Sequence, residues 1–194
     1  MNNEEITLEL PLEPIGAAPD LSAAYPELEK LKAANETLRE EGKEWLLTTL
    51  ETICNEINQA SAPPPADSSS PPEPPAPAAE LTLQVGNQGW QFEVGQNIMV
   101  GERLGIRHKN QTLLIEVGWP RLPEHGVVPD LGLARARVSF SQNIMIDAKL
   151  LAEFTLRRNK DGAGVSWHVM ADHKVGEIIT EDILRAHVQR VLSE

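Results

Sequence analysis

The chain of 194 residues lacks several features that would assign it to a functional class directly. Its one cysteine, Cys54, excludes an intramolecular disulfide framework and a cysteine-rich metal site. No apolar run approaches the roughly 18 residues that cross a bilayer. The first residues carry glutamates where a signal peptide carries Lys or Arg. We therefore expect a cytoplasmic protein in which Cys54 is a buried thiol, with a disulfide between two chains as the alternative.

Motifs that identify a reaction or a cofactor are also missing. The sequence contains no G-x-x-x-x-G-K, no G-x-G-x-x-G and no G-x-S-x-G pattern. His168, Asp172, His173 and Glu177 form its tightest group of candidate metal ligands, but the spacing of the two histidines matches no established zinc motif. The sequence thus predicts no metal and no cofactor and argues against an enzyme, although an enzyme without a recognisable motif remains an alternative.

Positive charge is scarce in the first part of the chain. The formal net charge is -12. Residues 1–79 hold 4 Lys or Arg against 15 Asp or Glu, whereas residues 80–194 hold 13 against 14. An acidic arm of this kind repels nucleic acid and anionic membrane, because both are bound mainly through neutralised phosphates. The charge pattern therefore favours a protein partner.

Changes in composition divide the chain into four parts. Residues 1–24 form an extended acidic segment, and residues 25–60 form an amphipathic, coiled-coil-like helix or a pair of helices. Residues 61–79 form a proline-rich linker, and residues 80–194 form a β-rich domain that ends in a helix. This order predicts an α+β fold.

Residues 6–12 alternate apolar and polar side chains, which is typical of a strand. Pro11 would restrict such a strand to the edge of a sheet. Three interpretations stay open: an edge strand of the chain's own β domain, a strand added to a partner's sheet, or a disordered segment.

The linker has 8 prolines in 19 residues and no aliphatic side chain larger than alanine. It cannot bury enough apolar area to offset its ordering entropy. Its composition therefore predicts a disordered, semi-rigid spacer, with a docking site for a proline-binding domain as the less favoured alternative.

The predicted helix opens at Pro26 and continues to about Gln59. Its apolar side chains fall at helical spacing and form a narrow seam, made of Leu28, Leu31, Leu38, Trp45, Leu46, Leu50, Ile53 and Ile57. The spacing changes phase near Gly42, which predicts a bend or a break there. Asn35 either faces inward within this seam or lies in solvent. Because this seam is narrow, it must pack against a second surface. That surface is a second copy of the helix, the β domain of the same chain or a foreign partner.

The β-rich domain carries signals for two hairpins and a final helix. Alternating apolar residues flank a turn at Lys109 and Asn110, and again flank a glycine-rich turn at residues 159–164. After Thr180, a good N-cap, apolar residues follow the helical period to the end of the chain.

A tetrapeptide, Gln-Asn-Ile-Met, occurs at residues 96–99 and again at residues 142–145. At the same offset Phe92 and Val94 align with Val138 and Phe140, and a hairpin follows each copy. The repeat predicts a duplicated strand, turn and hairpin unit that forms a small pseudo-symmetric β sandwich or barrel. Coincidence with ordinary strand alternation is the alternative.

The arginines of the β-rich domain form a charge pattern that predicts a basic face. Arg135 and Arg137 alternate with apolar residues and so project from one face of their strand. We expect Arg121, Arg157 and Arg158 to lie near them, giving a basic face for an acidic partner or for the acidic arm itself. A solvated face with ordinary ion pairs is the alternative.

These observations favour a non-enzymatic assembly or adaptor protein. In this hypothesis the helix mediates oligomerisation or docks a partner, the linker holds the β domain away from that assembly point, and the β domain binds a protein. The second hypothesis is a regulatory or ligand-binding β domain that its own acidic arm inhibits.

Overall fold

A computed structural model of the chain describes residues 24–61, 80–86, 89–94, 97–121, 132–143 and 147–193. The fold is α+β, as predicted, with two helices around one antiparallel sheet. Its elements in chain order are α1 (Ala24–Ser61), β1 (Thr82–Val85), β2 (Trp90–Val94), β3 (Asn97–His108), β4 (Gln111–Pro120), β5 (Ala134–Ser141), β6 (Lys149–Arg158), β7 (Val165–Ala171), β8 (Lys174–Ile178) and α2 (Glu181–Ser193). Most of the predicted N-terminal segment 1–24, including the candidate strand at 6–12, and most of the linker 61–79 lie outside the described residues.

The eight strands form a single sheet in the order β1-β3-β4-β5-β6-β7-β8, and β2 also pairs with β3. Strand β1 pairs with one half of β3 and β2 with the other half, so the two share one edge. The sequence predicts a sandwich or a small barrel, whereas the described strands form one continuous meander whose ends, β1 and β8, do not pair with each other. The physical reason is that the two helices cover the apolar face, which leaves no need for a second sheet.

Strand alternation gives the sheet two different faces. The inner face is apolar and packs against both helices in one hydrophobic core. Helix α2 contributes Leu184, Val188 and Val191, which confirms the predicted terminal helix and its apolar stripe. The sheet contributes Leu104, Ile106, Leu113, Ile115, Val117, Ala136, Val138, Phe140, Phe154, Leu156 and Trp167.

Helix α1 runs without interruption through Gly42, so neither a break nor a pair of helices is present. Gly42 lies directly against Leu156 of β6. A Cβ atom at this position would lie 2.5 Å from Cδ1 of Leu156, which is fully buried. The buried indole Nε1 of Trp167 donates a hydrogen bond of 2.8 Å to the Gly42 carbonyl. Glycine is favoured here because a side chain would have to displace the buried Leu156 side chain.

Both predicted hairpins are present. Strands β3 and β4 turn at Lys109, which adopts a positive φ of 54°, and β6 and β7 join through a loop with positive φ at Gly162 and Gly164. A third hairpin joins β7 to β8 through Asp172 and His173, at φ of 49° and 61°. Two consecutive left-handed residues are typical of a tight hairpin turn that matches the sheet twist.

The two ends of the proline-rich segment lie together. The Asn58 side chain donates a hydrogen bond of 2.9 Å to the Leu81 carbonyl and accepts one of 2.8 Å from the Leu81 amide. This pairing joins the end of α1 to the start of β1. The segment therefore connects two points that are already in contact and does not hold the β domain away from the helix.

The aligned residues of the predicted repeat occupy different faces. Phe92 pairs with Met99 on the outer face, whereas Val138 and Phe140 lie in the core on the inner face. Strand, turn and hairpin do follow each other twice, as β2-β3-β4 and β5-β6-β7. The internal duplication stays a prediction.

Candidate functional site

The buried part of the helical seam packs on the chain's own sheet. Leu46, Leu50 and Ile53 are at most 1% exposed and belong to the common core. Leu38 and Ile57 are partly buried against the same core. Of the three surfaces that the sequence left open, this half of the seam uses its own β domain, so a partner could contact these residues only after α1 had left the sheet.

The first turns of α1 remain uncovered. From Tyr25 to Ala34 no side chain is buried. Tyr25 is 63% exposed and Leu31 is 47% exposed, and Leu28 is half-buried beside them. These three side chains extend the apolar seam beyond the part that the sheet covers.

Trp45 belongs to a different surface. It is 41% exposed and lies with Ile178, which is 56% exposed, at the mouth of a shallow pocket of about 280 Å³. Gly42, Leu156 and Trp167 form part of the pocket lining. The sequence places Trp45 in the helical seam. In the structure Trp45 lies beside β8, an edge strand of the sheet.

Polar residues occupy inward positions on α1. Asn35 is buried and accepts a hydrogen bond of 2.7 Å from Arg158. Arg39 is buried, its Nε donates a hydrogen bond of 2.9 Å to the Leu133 carbonyl, and its guanidinium lies over the Trp119 ring. Burial lowers the pKa of Arg39, and Glu36 only partly opposes that effect. These contacts fix the position of α1 on the sheet.

The predicted arginine face is divided in the structure. Arg135 is buried, at 9% exposure. Arg137 donates a hydrogen bond of 3.2 Å to the Glu93 carbonyl and lies 3.9 Å from a carboxylate oxygen of both Glu116 and Glu153. Arg137 therefore takes part in ion pairs within the sheet, as the alternative interpretation expects.

Of the other three arginines of that prediction, Arg157 shares a face of the sheet with Arg135 and Arg137, whereas Arg121 and Arg158 lie elsewhere. Arg158 reaches α1 through Asn35, and Arg121 lies at the end of β4 beside a pocket that Arg39 and Trp119 also line. Arg157 is half-buried near the end of β6. The structure therefore places Arg135, Arg137 and Arg157 on the outer face of the sheet and separates Arg121 and Arg158 from them.

Strand β2 folds over one end of the outer face. Although it lies at a sheet edge, its Trp90 indole donates a hydrogen bond of 2.8 Å to Glu116 of β4. A Cβ atom at Gly118 of β4 would lie 2.9 Å from the Phe92 ring. Together with the hydrogen bond from Arg137 to the Glu93 carbonyl, these contacts place β2 across β4 and toward β5.

The other end of the outer face stays open as a groove of about 500 Å³. Two cross-strand rows form its floor. In the first row Gln84 is opposite Gly105, which is opposite Leu114. In the second row Arg107 is opposite Thr112, which is opposite Ser141. The remaining lining residues are Gly86, Arg103, Leu104, Asp147 and Ala148.

Arg103 and Arg107 are the groove residues that our sequence reasoning missed. Arg103 is held against the edge of the groove, because its guanidinium carbon lies 4.7 Å from the centre of the Trp90 ring. The signal was present in the alternation of this strand, since Leu104 and Ile106 point inward and the residues on either side of them must point outward.

The remaining sequence candidates have no catalytic geometry in the described part of the chain. Cys54 is a buried free thiol, and burial, reinforced by Glu51, raises its pKa to about 11. Asp172 and His173 form the β7–β8 turn. Among the described residues, no group of three or more His, Cys, Asp or Glu side chains is placed to hold a metal ion, and no helix is long and apolar enough to cross a membrane.

In comparisons with known proteins, no family model matches the chain, and neither a curated protein nor a solved structure matches it.

Proposed function

We propose that this chain is a non-enzymatic assembly protein that self-associates through the first turns of α1. The observation that carries the proposal is the division of the helical seam. From Asn35 onward the inward side of α1 packs on the sheet, whereas Tyr25, Leu28 and Leu31 continue the apolar stripe without cover.

Local charge supports a second copy as the partner. The chain as a whole carries a net charge of -12, which disfavours contact between most parts of two copies. Residues 25–34 are an exception, because Glu27 and Glu29 are balanced by Lys30 and Lys32. An antiparallel pair of these segments brings the acidic turn of one copy to the basic turn of the other.

Anchoring of α1 also supports this proposal. A short helical segment is only marginally stable in water, since nucleation is unfavourable. Here the uncovered turns extend a helix whose later turns are held by the core and by the contacts of Asn35 and Arg39. The association surface is therefore preorganised, which lowers the entropy cost of binding.

In this proposal each of the other features predicted from the sequence has a role. The coiled-coil character of α1 applies to residues 25–34 alone, and the proline-rich segment connects α1 to β1. The acidic segment before α1 contributes solubility. Inhibition of the β domain by that segment is the less favoured alternative, because the predicted arginine face is divided.

The test is the solution mass of the full chain, measured by light scattering on a sizing column. We expect a dimer, and we expect Leu31→Glu to weaken it by at least about tenfold, because a charge would be buried in the contact. Leu150→Glu is the matched control, since Leu150 is 43% exposed on β6 and Leu31 is 47% exposed. A monomeric wild-type chain, or equal weakening by both variants, would refute self-association through α1.

A further inference from the structure

We infer that the outer-face groove binds one oxyanion group, a carboxylate or a phosphate, of a small organic molecule, with Arg107 as the main contact. This site is separate from the proposed association surface and does not depend on it. The groove volume of about 500 Å³ lies within the usual range of ~300–1,000 Å³ for small-molecule sites.

Arg107 differs from its neighbours in lacking an acceptor. Arg103 stacks on Trp90, and Arg137 is close to two carboxylates and bonded to a carbonyl. Among the described residues, no hydrogen bond or ion pair is formed by the Arg107 side chain. A half-buried guanidinium without an acceptor is suited to an oxyanion, which it can bind through two parallel hydrogen bonds.

The row that contains Arg107 supplies further polar contacts. Thr112 is directly opposite Arg107 on the neighbouring strand, about 5 Å away across the ladder. Its hydroxyl can donate to the same anion. Ser141 is next in the row, and its hydroxyl already donates a hydrogen bond of 2.6 Å to the Asn143 carbonyl, so it does not donate to the anion.

The adjoining row gives the groove room for the rest of the ligand. Gly105 leaves the floor bare, since an added Cβ would meet only the Thr112 methyl at 3.8 Å. Leu114 beside it supplies an apolar contact and Gln84 an amide. The ligand class is therefore an anion with a small apolar or aromatic body.

One carboxylate limits the charge of the ligand. Asp147 also lines the groove, and its negative charge opposes the positive charges of Arg103 and Arg107. It repels a second anionic group and can accept a hydrogen bond from a ligand hydroxyl or amine. We therefore expect a molecule with a single anionic group.

The test titrates the isotopically labelled full chain with phenyl phosphate and, separately, with benzoate, and follows backbone amide shifts. Saturable shifts at residues 105, 107 and 112 are expected with at least one probe, and the stronger probe identifies the anion. Arg107→Gln should weaken binding roughly tenfold or more, because it removes a charge-assisted contact. Arg157→Gln removes the same charge from β6, outside the groove, and should leave binding unchanged.

Gly105→Val provides a second variant that does not alter charge. Its Cβ meets no backbone atom and valine suits a strand, so the variant should block binding while the chain stays folded. Shifts that do not saturate, equal weakening by the two arginine variants, or unchanged binding in Gly105→Val would each overturn the inference. If groove binding is found in a monomeric chain, only the self-association proposal fails.

Discussion

Replacement of Gly42 by alanine tests the closest contact between the helix and the sheet. In an exposed helix this change stabilises by about 1 kcal/mol, because alanine has the higher helix propensity. Here the new Cβ would lie 2.5 and 2.6 Å from the two terminal carbons of Leu156 and 3.1 Å from its Cγ. Overpacking of a filled core costs roughly 1–3 kcal/mol. Leu156 is fully buried, and the space beside it is the pocket that it lines with Trp45 and Gly42.

We therefore expect Gly42→Ala to lower the free energy of unfolding by up to about 2 kcal/mol after the gain in propensity is subtracted. For a chain of this size the melting temperature should fall by up to roughly 8 °C. The assay is urea unfolding followed by circular dichroism, with thermal melting as the second measurement.

The effect of Gly42→Ala should also be measured in a chain that carries Leu156→Ala. This change alone should cost about 2–5 kcal/mol, but it removes all three carbons that the new Cβ would approach. In that background Gly42→Ala should stabilise by about 1 kcal/mol, so the sign of its effect reverses. Equal effects of Gly42→Ala in the two backgrounds, or a more stable Gly42→Ala single variant, would show that the contact does not limit the helix.

Two further predictions concern buried titratable groups. Because burial raises the pKa of Cys54 to about 11, its reaction with a disulfide reagent at neutral pH should be at least about 100-fold slower in the folded chain than in urea, and equal rates would place the thiol at the surface. Burial, with a smaller contribution from Arg190, lowers the pKa of His187 below 6.5, so the folded state favours the neutral imidazole and loses stability as the pH falls through that range. The loss of unfolding free energy between about pH 7.5 and about pH 5 should be smaller in His187→Phe, and an identical loss in both proteins would remove His187 as a cause.

The buried side of α1 shows why sequence reasoning reached only part of the fold. The inward positions are Asn35, Arg39, Gly42, Leu46 and Leu50, at continuous helical spacing. Three of these five are polar or glycine, so a search for apolar periodicity finds a change of phase where the helix has none. Only the facing sheet, which supplies acceptors, donors and a close contact, makes those residue types favourable inside.

The candidate site shows a similar division. Alternation in β3 was enough to place Arg103 and Arg107 on one face of their strand. It could not show that Arg107 lacks an acceptor while Arg137 bonds to one carbonyl and lies near two carboxylates, because those neighbours come from β2, β4 and β6. Strand register across the sheet decides which charges are paired, and register is a property of the tertiary structure.

By itself the sequence determined the features that depend on near neighbours along the chain. The hairpin at Lys109, the hairpin at residues 159–164 and the helix after Thr180 follow from turn chemistry, capping and periodicity, which act within a few residues. The tertiary structure alone decided that the strands form one sheet and that α1 packs on it. It also left the first turns of α1 and the groove beside Arg107 uncovered. These outcomes depend on contacts between residues far apart in sequence, for which no local pattern carries a signal.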